Sequence, residues 1–327
     1  MENVVDVNES KLYKLSSSLL AILLQDHSSN KNIIWATDNY EELGLGYRLK
    51  DNISIFSITG RNESVIRPRI CKSKEEQTKR IRDKAEVFTP SWVCNIQNNL
   101  VDERWFGKKP NFNCETDKAW ITNEDKITFD NVKEKTWEDY VLDVRLEITC
   151  GEAPYITSRY DSVSGDYIEP RNRIGLLDRK LRVISENTNS SGEWLEWAKK
   201  ALQSIYAYEF QGDNLLIARE NVLLAVEEYY EYLYGEKIQL EKLLIFADII
   251  SWNMWQIDGL KCVVPYSCKS EDIEQFTLFG IEYEHHECPG CKKNAITKHN
   301  GIYCKIKDWQ LNKTTKFVTV ATRGRKV

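Results

Sequence analysis

Apolar positions along the chain change repeatedly from helical spacing to short continuous runs, and each change predicts an element. Lys11–Gln25 has helical spacing, while Asn32–Trp35 and Ile53–Ile58 are short runs of strand type. A basic stretch over 67–84 leads into Glu86-Val87-Phe88-Thr89-Pro90. Pro90 suits the first turn of a helix, with Thr89 at its N-cap and Val93, Ile96, Gln97 and Leu100 following. Residues 107–139 are polar and predict loops around one short strand.

From Tyr140 the pattern becomes regular. Tyr140–Thr149 predicts a strand that ends in the turn Cys150-Gly151-Glu152-Ala153-Pro154. Ser158–Gly192 reads as an insertion, with Gly175–Val183 as an exposed basic helix inside it. Then come a helix over Glu193–Ser204, a strand over Ile205–Phe210 and a long helix over Asn214–Tyr234. A helix over Leu243–Ile250 and a strand over Trp252–Ile257, ending at Asp258-Gly259, complete the series. Strands alternating with helices imply an α/β fold with a parallel sheet and right-handed crossovers, and ligands at the carboxyl edge of the strands. Three regions are expected: 1–85, mixed and basic towards its end; 86–268, the α/β unit; and 269–327, a Cys/His-containing segment with a basic tail.

Length and charge narrow the function. A chain of 327 residues, 42% hydrophobic, suits about two domains. No apolar run approaches the roughly 20 residues of a membrane span, and the first residues lack the features of a secretory signal, so a cytoplasmic protein is expected. A net charge of −5 excludes a generic polyanion binder. Residues 67–84 are locally basic, making Arg67, Arg69, Lys79, Arg80 and Arg82 candidate phosphate contacts against the plainer reading of a solvated face. Nine cysteines, an odd number, argue against a disulfide framework.

The three strand ends carry Glu147, Glu209 and Asp258. A carboxylate just past a parallel strand can accept both hydroxyls of a ribose, and a glycine turn lets backbone N–H groups approach a ligand closely. The plainer alternative is that these acids only end strands or cap helices.

Phe88-Thr89-Pro90 with Val93, the Cys150-Gly151 turn, Tyr208-Glu209 and Ala218-Arg219-Glu220-Asn221 form an ordered series over about residues 80–262. It resembles the amino-group (N6-adenine) DNA methyltransferases, including the modification subunits of restriction–modification systems. The resemblance implies a Rossmann-like S-adenosylmethionine sheet. Phe88, Thr89 and Pro90 would pack on the methionine part of the cofactor, and Glu147, Cys150, Gly151 and Ala153 would form the glycine turn. Glu209 would hold the ribose and Asp258 the adenine amine. This turn departs from the family pattern, with Ile148 in place of its proline and Ala153 in place of its second glycine.

The family's catalytic N-P-P-Y element grips a flipped adenine. Here all seven prolines are isolated, so that element is absent and no catalytic residue is assigned. A split enzyme is the favoured expectation: this chain holds the cofactor and acts only with a second methyltransferase or restriction subunit, touching DNA through the complex. In that reading Lys316–Thr322 is the fourth strand, at the junction. The competing readings are a degenerate DNA- or protein-binding module, a truncated product, and a magnesium-dependent nuclease using Asp117, Glu124, Asp125 and Lys126.

The last chemical signal is Cys288-Pro-Gly-Cys291, a turn that can present two thiolates to one metal. With Cys304 and His299, or one of His285 and His286 in place of His299, it makes a candidate structural zinc set, against a surface turn with reduced thiols.

Overall fold

The structure is a computed structural model and describes residues 5, 8–84, 86, 87, 89–107, 112–129, 132, 135–277 and 280–323. It is a mixed α/β molecule. Its centre is a three-stranded parallel sheet, β1 (Arg145–Ile148), β2 (Ile205–Glu209) and β3 (Met254–Gln256), in that order. Arg145 is opposite Ile205, and Glu209 is opposite Gln256.

Helices account for the crossovers. α1 (Ser91–Phe106) precedes β1; α2 (Leu176–Asn187) and α3 (Ser191–Ser204) separate β1 from β2; α4 (Gly212–Tyr234) and α5 (Leu240–Asn253) separate β2 from β3. α4 buries Leu215, Ala218, Val222, Ala225 and Tyr229, the helical spacing seen in the sequence, and Gly235 ends it at φ 69°. Alternation along the strands gives the sheet two faces. Ile205, Ala207 and Met254 are buried in the main core, which runs from Leu12 to Met254. Tyr208 and Trp255 point the other way, into a small second core with Cys304 and Val318.

Several expected elements differ, each for a local reason. The first helix is two, Glu9–Leu15 and Ser17–Leu24, broken at Ser16 (φ −163°, ψ 122°). Ile53–Ile58 is not a strand: Ser54 and Ser57 form a capping box that starts a helical turn at Ile55. Likewise, Thr136 and Asp139 form a capping box and turn the start of the expected Tyr140–Thr149 strand into a helix, Trp137–Leu142. Pro90, not Thr89, occupies the N-cap of α1, and Asp161 accepts the Ser91 N–H at 2.8 Å. Gly175–Val183 is not an exposed basic face, because Arg179 and Lys180 are both buried. Arg179 pairs with Asp102 and bonds Asn95 and Asn99, while Lys180 donates to Val141 O, Asp143 O and Ser204 Oγ. Lys316–Thr322 is not a fourth parallel strand. β4 (Lys305–Asp308) and β5 (Lys313–Lys316) form an antiparallel hairpin, and Phe317–Ala321 is a helix over the second core.

Candidate functional site

The carboxyl ends of β1 and β2 open into a cavity of about 560 Å³, inside the usual range of about 300–1,000 Å³ for small-molecule sites. Glu147, Thr149, Cys150, Gly151 and Glu152 line it from β1 and its turn, and Glu209, Phe210 and Gln211 from β2. Thr89 and Glu86 come from the segment before α1, and Tyr266 from beyond β3.

The turn is built around the acid of the next strand. Cys150 N–H donates to Tyr208 O at 3.0 Å, carrying the pairing two residues past the end of β1. Gly151, at φ 55°, then aims its N–H at Glu209 Oε2, 2.8 Å away. Glu209 Oε1 accepts from the Gln211 N–H at 3.2 Å. Burial raises the Glu209 carboxyl above its ordinary value, and these backbone donors pull it back.

Glu147 is buried with Oε2 unpartnered. Burial pushes its carboxyl well above the usual range, and the neighbouring charge of Glu209 adds to this. Glu86 also buries an unpartnered oxygen, Oε1, while its Oε2 accepts from Arg80 Nε at 2.6 Å. Four glutamates thus line the cavity with one cation, Lys84, whose ammonium is held by Asp38 at 2.8 Å. Phe210 and Tyr266 meet edge to face with centroids 5.7 Å apart. The wall is conformationally strained: Ala36, Thr149 and Tyr266 all line it at positive φ (50°, 52° and 58°), and buried Ala153 follows at 64°. Each such residue costs on the order of 1–3 kcal/mol, and such strain gathers at ligand sites.

Of the expected cofactor residues, Thr89, Glu147, Cys150, Gly151 and Glu209 come together here. Ala153 lies in the turn, and Pro90 caps α1. Phe88 lies outside the described residues. Asp258 does not line the cavity, because its carboxylate holds Lys261 at 3.1 Å and caps the turn at Leu260 and Lys261. Glu86, Phe210, Gln211 and Tyr266 had no recognisable signal, since no motif joins them in the sequence.

The basic stretch divides. Arg80 is not a phosphate contact, being buried in an ionic network with Glu86 and with Asp213 (2.7 Å). Arg67 lies 3.5 Å from Glu76, and the Arg69 N–H is bonded to Glu152. Lys79 and Arg82 are exposed, Arg82 paired with Asp83. Glu124 pairs with Arg171, and the acids of the nuclease reading form no metal-binding group among the described residues.

A second site lies beyond β3. Cys268, Cys288, Cys291 and His299 place one ligand atom each within 4.8 Å of one another, a group that could hold a metal ion. His299 Nδ1 is 3.6, 3.6 and 3.7 Å from the sulfurs of Cys268, Cys288 and Cys291. Tetrahedral zinc with bonds of about 2.3 Å to sulfur and about 2.0 Å to nitrogen would set them about 3.6 Å apart. Two glycines permit this closeness. A Cβ on Gly290 would lie 2.5 Å from His299 Nδ1, and one on Gly301 would lie 3.1 Å from Cys268 Sγ. The Asn300 N–H also donates to Cys288 Sγ at 3.3 Å. Cys304 is not a member. It is buried in the second core, with its thiol against Gln256 O, and Cys268 takes the fourth position.

No protein-family model matches this chain, and no significant match exists among curated proteins or solved structures.

Proposed function

We propose that the cavity binds S-adenosylmethionine, that its sheet is the cofactor half of a Rossmann-like methyltransferase, and that the chain serves an adenine-N6 DNA methyltransferase of restriction–modification type. The observation that carries this reading is the acidic, partly aromatic cavity at the ends of adjacent parallel strands. A ligand with a sulfonium and an ammonium against one carboxylate is a net cation, and two buried unpartnered glutamate oxygens suit it. Glu209 would accept from the ribose hydroxyls, Glu147 and Glu86 would face the cationic end, and Phe210 with Tyr266 would take the purine edge. When bound, the cofactor supplies an electrophilic methyl group; the chain supplies position and field. In this proposal a second subunit supplies the grip on the target base, and the lack of any Pro-Pro pair among the seven prolines supports that division.

Calorimetric titration with S-adenosylmethionine tests this. Wild type should bind, and Glu209→Ala should bind at least tenfold more weakly. A wild type that releases no heat and shows no binding refutes the reading.

The metal of the second site is zinc in this proposal, with a structural role, since four protein ligands leave no open position. Elemental analysis should find one zinc per chain and its loss in Cys268→Ser, but not in Cys304→Ser. Retention in Cys268→Ser would overturn the ligand set.

A further inference from the structure

The sheet has one unfinished side. Val144, Leu146 and Ile148 alternate along β1 and its approach, and all face away from the main core, 62, 45 and 61% exposed. β1 is also the last strand in the sheet order, so no described strand pairs its outer edge. The rest of that face is covered: the hairpin β4–β5 and the Phe317–Ala321 helix pack on Tyr208 and Trp255. Between the bare and covered halves runs a groove of about 700 Å³.

Parallel strands ordinarily have helices on both faces, and a bare face with a free edge is a template for another chain. Two features say what fits. Trp255 lines the groove, 3% exposed, with its indole N–H unpartnered, so an acceptor is missing there. The rim is cationic: Lys200, Lys307, Lys313 and Arg323 stand against Asp308, and none of the four is in an ion pair among the described residues. Lys200 and Lys307 instead lie over the rings of Trp197 and Trp309, at 3.7 and 4.1 Å.

We infer that this groove docks an amphipathic helix of a second polypeptide. Its apolar stripe lies on Val144 and Leu146, its acidic flank meets the lysine rim, and one of its oxygens accepts from Trp255. The helix completes the sheet's second face, and a strand beside it can pair with β1. The inference stands independently of what the cavity binds.

A designed helical peptide, with leucines at i, i+3, i+4 and i+7 and glutamates elsewhere, is the probe, and its lysine-for-glutamate counterpart is the control. Titrated against the intact protein, the acidic peptide should bind at least tenfold more tightly than the basic one. Lys200→Glu with Lys313→Glu should reverse that preference, and Leu146→Glu should abolish binding. Equal affinity for both peptides, or none, overturns the inference. So does a concentration-dependent dimer in light scattering that Leu146→Glu dissolves, which would assign the face to a second copy. Leu146→Glu should leave S-adenosylmethionine binding unchanged, so failure here is distinct from failure at the cavity.

Discussion

Glu147 has no ion-pair partner among the described residues, and its carboxyl titrates well above the ordinary range because it is buried. The folded state therefore holds this proton more tightly than the unfolded chain. Its contribution is fully present below the unfolded value of about 4.3 and is lost as pH rises through the folded value. Glu147→Gln should accordingly raise the melting temperature at pH 8, with the gain shrinking towards pH 4; paired melts across that range check it. Glu147 and Glu209 were legible in the sequence because each ends a run of strand type. Arg80 was not, since a basic run does not say which of its members turns inward to meet Asp213. Cys268 escaped notice for a related reason: it lies twenty residues before Cys288 and has no cysteine at knuckle spacing.

Elements were legible where their periodicity was long. α4 and the alternation of strands with helices around a parallel sheet follow from spacing, because tertiary packing rewards the same face that the sequence marks. Short apolar runs were not, since at Ile55 and Trp137 a capping box decides between strand and helix before packing does. Close approaches between elements were equally silent. The start of α4 touches the N-terminal region at Gly212, where a Cβ would lie 2.0 Å from Ile34 O. Gly212→Ala should destabilise the fold by about 1–3 kcal/mol, read by denaturant unfolding. At the metal site Gly290→Ala should drive a methyl group into the His299 ring and weaken metal affinity by about 10–100-fold, read by competition with a chelator.

Across the molecule, the described residues form two cores of unequal size. The larger joins the N-terminal region to the helical face of the sheet, while the smaller holds the C-terminal segment to the other face. Chelation should therefore expose the segment around 269–300 to protease and leave the larger core's melting transition in place; limited proteolysis with mass mapping checks it. One further link joins the two sites. Only Ser267, whose hydroxyl ties Val264 to Ile302, separates Cys268 from Tyr266, the aromatic wall of the cavity. Zinc bound as proposed would thus anchor, through Cys268, the stretch that carries Tyr266, so the metal site and one wall of the cavity share a short segment of chain.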